Sequence, residues 1–449
     1  MEREQFGSRA AVIMALAGTA IGLGNIWRFP YMVGENGGAA FIIVYVAATL
    51  LVSLPIFLAE SVIGRRSRAN CRGAMEKLAP GSRWKWFGLL SVLTPTLILS
   101  YYSVIGGWSL DYLLRACRLE FVHAGSDAIR ELFPAFVSSP WKPVVAHTAF
   151  LGLTALIVAG GVKTGIERFS KWSLPILFIL IVIITAYSLS LPGSKAGVEY
   201  LVKPDFSRLT GRSCIAALGQ SFYSLSLGMG IIITYSSYVS KQENLLVSGL
   251  GTAVSDLLFA LLAGFAIMPA VFAAGIQPNA GPGLIFDTLP FIFHRMGEAL
   301  PVLSSIAAIL FFLTILFAAL TSSVSLLEVF VAYLVEERKM RRGSAVLLAF
   351  AVVWVLGLVS ALSFGVLSGV TLFGKGLFDN LDAFCSNILL ALGGLLCVLF
   401  VGWRMKKTDV RDELTNGGTL RGRTFPFIYF MVRYLAPVAI VAIFIANYL

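Results

Sequence analysis

Charge is what this sequence has least of. Its 449 residues carry only 13% Asp, Glu, Lys and Arg, about half the roughly 25% of an ordinary globular protein, so the polar surface that soluble domains of this length require is missing. Cysteine is sparse, with five residues (Cys71, Cys117, Cys214, Cys385, Cys397). None forms a CxxC pair, which argues against a zinc site or a disulfide scaffold. The three histidines (His123, His147, His294) stand far from one another and from the glycine-rich segments described below. No GxSxG or HExxH motif occurs, and a membrane enzyme would need such a nucleophile or metal centre. Low-complexity tracts and long linkers are also absent. The start, MEREQFGSR, carries two acids and no cleavage pattern, so no signal peptide is expected.

Apolar residues fill the rest, at 57%. Runs of about 18 or more, long enough to cross a bilayer as helices, lie at 10–33, 39–63, 87–113, 143–161, 171–191, 213–239, 246–274, 301–334, 344–363, 380–402 and 426–447. Eleven spans define an all-α integral membrane protein with loops too short for a separate soluble domain. The net charge of +11 is then topological. Arg65, Arg66, Arg68, Arg72, Lys77, Arg83 and Lys85 cluster between spans two and three, and the positive-inside rule places them in the cytoplasm. That orientation puts the N-terminus inside and the C-terminus, after an odd number of spans, outside. No basic, aromatic-interleaved segment supports nucleic-acid binding, and no obligate protein partner is evident.

Two spans are interrupted. The first reads AGTAIGLGNIWRFP, with Gly18, Gly22 and Gly24 near its middle, and the sixth reads SLSLGMG, with Gly228 and Gly230 around Met229 and hydroxyls at Ser221, Ser224 and Ser226. Each glycine costs a helix about 1 kcal/mol relative to alanine. Membrane glycines also permit close helix packing, but these two clusters begin corresponding sets of five spans. Paired breaks in that register mark an inverted-repeat transporter whose site lies at the breaks. The amides freed by a broken helix favour an anion and the freed carbonyls a small cation. The backbone alone therefore predicts a ligand with an anionic end beside a bound cation.

The stretches GLGNIWRFPY, ENGGAAF, SLSLGMG followed by ITYSSY, and FAALTSS resemble the neurotransmitter:sodium symporter family, in its prokaryotic, eleven-span form. This family itself typifies the broken-helix pattern. The resemblance implies two inverted repeats, residues 1–191 and 192–404, with an eleventh span in 405–449. It also implies sodium-driven uptake of an amino acid by alternating access across the cell membrane. Carried over position by position, it implies two sodium ions. The first would be held by the Ala20 carbonyl, Asn25, Ser224, Asp256 and the substrate carboxylate. The second would be held by the carbonyls of Gly18, Ile21 and Ala318 and the hydroxyls of Thr321 and Ser322. Such all-oxygen sets suit a hard cation. Asp256 replaces the Asn of many relatives, and its charge stands where chloride-dependent members need an anion, so chloride independence is expected.

Substrate contacts carried over in the same way fall on Thr19, Ala20, Gly22, Leu23, Gly24, Ile98, Tyr102, Tyr223, Ser224, Ser226, Met229, Ser322 and Leu326. Monoamine carriers have an Asp at the position of Gly22. Glycine there is expected to leave space for a substrate carboxylate, bound by the Leu23 and Gly24 amides and the Tyr102 phenol. The walls Ile98, Tyr223, Met229 and Leu326 favour hydrophobic and aromatic side chains. The resemblance further implies an external gate of Arg28 and Asp382 above a lid of Tyr102 and Tyr223. It implies an internal gate of Arg3 and Glu336 beside Ser237 and Tyr238, where Phe6 replaces a common Trp. Glu60 is expected to accept hydrogen bonds from the backbone near Leu227 and Gly228. Gly165 and Pro175 are expected to weaken the inner half of span five. A channel, a substrate sensor on the same fold, or a symporter for another small amino acid are the rival readings.

Overall fold

The computed structural model describes residues 4–275, 285–298 and 300–446. Among them, nine continuous helices are long and apolar enough to cross a bilayer: Ala39–Ser67, Lys85–Cys117, Lys142–Ala159, Val162–Leu189, Leu245–Ala273, Pro301–Glu337, Arg342–Leu362, Leu377–Arg404 and Phe425–Ala446. The other two spans are broken. The first consists of Arg9–Ala20 and Gly24–Glu35, bent by 55°, and the sixth of Gly211–Ser224 and Ile231–Ser236. Neither half of either span is long enough to cross alone; with the first pair counted as one span ten candidates stand, and the halves Gly211–Ser224 and Ile231–Ser236 lie where the sixth expected span falls. The one sheet among the described residues is a hairpin, Thr371–Leu372 against Lys375–Gly376. Large apolar side chains such as Leu156, Trp172, Ile179, Leu347 and Val438 stand exposed around the perimeter, as a lipid-facing surface requires and a water-facing one avoids.

The breaks have local causes. In the first span, Gly18 stays inside the helix, contrary to its expected part in the interruption. A Cβ there would lie 3.2 Å from Leu174 Cδ1 and 3.8 Å from Thr321 Cβ, so Gly18 serves close packing against spans five and eight. The chain leaves the helix at Ile21, whose backbone is extended, and resumes in a π-helical turn at Gly24. In the sixth span, Gly228 and Gly230 have φ of +79° and +70°, and Ser226 between the half-helices has +54°. A side chain at Gly228 would collide with the Leu390 carbonyl, and one at Gly230 would lie 2.5 Å from the Ser91 carbonyl. Positive φ and backbone contact together leave room only for glycine.

Span three runs between spans four, eight and nine. Its approach to span four depends on Gly107, where a Cβ would come within 2.7 Å of the His147 nitrogen. The basic cluster that oriented the chain is more than a solvated loop. Arg65 is fully buried, pairing with Glu413 at 2.7 Å and donating to the Glu243 carbonyl, while Arg66 pairs with Asp409 at 2.7 Å. These contacts tie the end of span two to the segments after spans six and ten.

Candidate functional site

All the residues expected around the substrate line one midplane cavity, with Asn25 and Ile231 beside them. The two breaks meet there: Ser226 Oγ donates to the Thr19 carbonyl at 2.7 Å. Thr19 turns its own hydroxyl back to Leu16, so its carbonyl, and not its side chain, takes part in this junction. Glu60 accepts the Gly228 amide at 2.7 Å. The Leu227 amide, expected on Glu60 as well, goes to the Phe222 carbonyl at 3.4 Å, because the turn at Ser226 directs it back along the half-helix.

Gly22 does not face open space. A Cβ there would collide with Ser322 Oγ and lie 3.3 Å from the Tyr102 hydroxyl, so two hydroxyls already fill the place expected for a carboxylate. The Leu23 amide points at Tyr102 Oη, 3.4 Å away. The cavity measures about 40 Å³, room for roughly three waters at 10–15 Å³ each. A bulky side chain enters only if the apolar wall of Ile98, Met229 and Leu326 gives way.

On one flank, Asp256 is fully buried and gathers donors from three spans. Asn25 Nδ2 donates to its carboxylate at 2.7 Å, Ser224 Oγ at 2.7 Å and Tyr45 Oη at 3.4 Å. Tyr45 is the residue that sequence reasoning missed. Its signal was a lone phenol in the apolar run AFIIVYVAATL, since a buried tyrosine hydroxyl needs a partner. On the other flank, Thr321 Oγ1 donates to the Ile21 carbonyl at 3.0 Å and the Ala318 carbonyl at 2.9 Å, and Ser322 Oγ faces Ile21 at 3.4 Å. The oxygens gathered on both flanks suit a hard monovalent cation. Among the described residues no group of His, Cys, Asp and Glu is arranged for a transition metal.

Above the lid, Arg28 and Asp382 line a common cavity of about 470 Å³ together with Tyr101, Tyr102 and Tyr223. They are not ion-paired. Arg28 lies over the Tyr223 ring, 4.6 Å from its centre, and Asp382 accepts from Ser386 at 3.0 Å. The expected external gate is therefore apart, and Tyr102 and Tyr223 divide this vestibule from the midplane cavity.

At the other end of the bundle, the N-terminal segment packs against the end of span six. Phe6 packs edge-on against Tyr238 with ring centres 6.1 Å apart, and its amide donates to the Tyr238 carbonyl. The Tyr238 hydroxyl donates to Glu328 at 2.8 Å. Glu328, fully buried, pairs with Arg342 at 2.6 Å. Glu328, in the run SLLEVF, was visible in the sequence as an intramembrane charge and joins this cluster in addition to the expected gate residues. Glu336 accepts from the backbone and side chain of Asn70. Arg3 lies outside the described residues.

Residues 3–128 and 136–449 match the model of the sodium:neurotransmitter symporter family. The chain belongs to that family. It is thus similar over nearly its whole length to sodium-dependent transporters. An uncharacterized one from Bacillus subtilis, YhdH, is 39% identical over 98% of this chain and 97% of its own. Another, from Haemophilus influenzae, is 36% identical over 99% and 98%. The crystal structure of MhsT in complex with L-phenylalanine superposes with a TM-score of 0.90 at 42% identity, covering 99% of this chain and 100% of that one. The broken spans and the midplane cavity are thus those of a membrane transporter of the symporter family.

Proposed function

We propose that this symporter takes up hydrophobic and aromatic L-amino acids, driven by sodium at two sites and without need of chloride. The observation that carries this reading is the wall around Gly22. Residue 22 is glycine and offers no acid to receive an amine, and a Cβ there would meet the Ser322 hydroxyl. The substrate must bring its own carboxylate to Tyr102 and the Leu23 amide, displacing the Ser322 hydroxyl. Opposite, Ile98, Met229 and Leu326 offer apolar contact, and the relative solved with L-phenylalanine is in keeping with such a ligand. The substrate carboxylate would complete the first sodium shell beside Ala20, Asn25, Ser224 and Asp256. Gly18, Ile21, Ala318, Thr321 and Ser322 would hold the second ion. Asp256 supplies the negative charge that would otherwise come from chloride.

In this reading residues 1–191 and 192–404 are the two repeats, the N-terminus is cytoplasmic and the C-terminus external. Substrate enters through the vestibule. Closing then brings Arg28 to Asp382 above Tyr102 and Tyr223, while the cytoplasmic cluster of Phe6, Tyr238, Glu328 and Arg342, with Arg3 and Glu336, opens below.

Uptake of radiolabelled tryptophan and leucine into proteoliposomes, with an inward sodium gradient against a potassium control, tests the proposal. Saturable accumulation that needs sodium and persists with gluconate in place of chloride is expected. Binding without accumulation would reassign the protein as a sensor. Transport of glycine to the exclusion of leucine and tryptophan would overturn the substrate class.

A further inference from the structure

Where span ten ends and span eleven begins, the two helices hold an arginine that transport of the substrate does not use. Each has a π-helical turn there, Phe400–Arg404 and Met431–Leu435, a local form that recurs at functional sites. The turns lie so close that a Cβ at Gly402 would come 3.0 Å from the Arg433 Cα. Aromatic donors lock them together: Trp403 Nε1 donates to the Arg433 carbonyl and Tyr429 Oη to the Gly402 carbonyl, each at 3.1 Å. The Arg433 guanidinium lies 4.5 Å from the centre of the Trp403 ring and 5.6 Å from that of Tyr434, and one Nη donates to Tyr429 Oη at 3.4 Å. Its Nε is buried with no hydrogen-bond partner among the described residues. Every one of these partners is neutral, so the charge is positioned but not compensated.

The surroundings add charge of the same sign. Arg404, Lys406 and Lys407 follow span ten directly and are exposed, with Lys407 Nζ 5.4 Å from the Tyr429 ring centre. The helix Lys407–Leu414 also carries acids, but at about 3.6 residues per turn Asp409, Asp412 and Glu413 fall on the side away from Lys407. Asp409 and Glu413 are moreover paired with Arg66 and Arg65. Beside the guanidinium, Trp403, Tyr434 and Phe430 form a continuous exposed aromatic surface, of the kind that marks the headgroup level of a bilayer. Deeper along span eleven, Val438 and Val441 continue the exposed stripe.

We infer that this cluster binds an anionic phospholipid, its phosphate on Arg433 and Lys407 and an acyl chain along Tyr434, Val438 and Val441. Charge complementarity selects the occupant. A net-negative headgroup meets cations with no free acid on their side, and a guanidinium fork binds phosphate well, whereas a zwitterionic headgroup brings a further cation. The orientation proposed above makes this the cytoplasmic leaflet, the anionic one; the binding itself depends on no assumption about the substrate. The helix that carries Lys407 also holds the end of span two through Asp409 and Glu413, so a bound lipid steadies the element on which span two rests.

The protein would be reconstituted in nanodiscs of phosphatidylcholine mixed with phosphatidylglycerol, and retained lipid read by native mass spectrometry. The wild type is expected to retain phosphatidylglycerol over phosphatidylcholine. Arg433→Gln should retain about tenfold less, the loss of one charged hydrogen-bonding contact. Lys407→Gln alters only an exposed side chain, decides the matter if Arg433→Gln fails to fold, and should retain about fivefold less. Lys339→Gln removes the same charge from an exposed position between spans eight and nine and should match the wild type. Equal retention of both lipids by the wild type, or undiminished retention by both Arg433→Gln and Lys407→Gln, would overturn the inference. An equal loss in Lys339→Gln, as diffuse attraction would give, would overturn it as well. Cross-linking of a Tyr434→Cys variant to a second copy would give the surface to a dimer interface, with the same consequence. Because the readout is bound lipid, failure of amino-acid uptake leaves this test unaffected.

Discussion

Asn25 on the first span donates its side-chain amide to Asp256 on the seventh at 2.7 Å, so one hydrogen bond joins the helical break to a fully buried carboxylate. Ser224 and Tyr45 donate to the same group. In the proposed reading, an ionised carboxylate in this position would hold a cation by direct charge, without a mobile anion. Asp256→Asn is expected to raise the sodium concentration for half-maximal substrate binding by about tenfold or more, since hydrogen bonds and contacts to a charged group are worth about 1.5–3 kcal/mol. Chloride should restore part of the loss. Scintillation-proximity binding in chloride and in gluconate checks this, and wild-type sodium dependence in the variant would remove Asp256 from the ion site.

Tyr45→Phe should have a smaller effect of the same sign. The phenol sits at the long end of hydrogen bonding to Asp256 and also faces Ser224 at 3.2 Å. Its removal is expected to weaken sodium-dependent binding about threefold to tenfold, near 1 kcal/mol, with substrate selectivity unchanged. A changed ranking of leucine against tryptophan would assign Tyr45 to the substrate pocket instead.

Gly22→Ala should reduce uptake about fivefold to hundredfold, because the new methyl meets the Ser322 hydroxyl and overpacking costs about 1–3 kcal/mol. Ser322→Gly in the same chain should relieve the clash and recover binding in part. A double-mutant cycle of substrate affinity measures the coupling. Purely additive losses would show that the two residues do not compete for one place.

Arg342→Ala strands the buried Glu328 carboxylate, and breaking such a pair by removing one partner costs about 3–5 kcal/mol. The lost ion pair should lower the melting temperature in detergent. It should also speed thiol labelling of a cysteine placed at Tyr238, which Phe6 and Glu328 otherwise cover. Unchanged labelling would limit the pair to a role in stability.

The start of span five should loosen when the cytoplasmic side opens. Its π-helical turn Val162–Glu167 is held by the N-terminal segment: Glu4 accepts the Val162 amide at 2.8 Å, and Glu167 accepts the Gly7 amide at 3.0 Å. Gly165 is needed where the turn meets the Ile157 carbonyl, while Pro175 lies within the following helix Arg168–Leu189. Hydrogen exchange across 162–175 is expected to rise in sodium-free protein and in Glu167→Ala. Identical exchange in all forms would mean that this turn does not take part in gating.

The number of spans, their order and the two broken segments were legible in the sequence, because a bilayer forces long apolar runs into helices and glycine pairs mark where a helix fails. The π-helical start of span five was less legible. The expected boundary at 171 followed the apolar run, whereas the structure begins the span at Val162, where the N-terminal segment caps a polar turn.

What the sequence determined by itself follows from local chemistry and composition: membrane residence, the eleven spans, the family motifs and the residues gathered at the breaks. Tertiary structure alone decided which groups meet. It placed Tyr45 on Asp256, joined the Tyr238 hydroxyl to Glu328, kept Arg28 apart from Asp382, and set Ser322 against Gly22. The reason is physical. A span's existence depends on a run of adjacent residues, but a hydrogen bond or ion pair between spans depends on rotation and depth of two helices whose positions are fixed only when all of them pack.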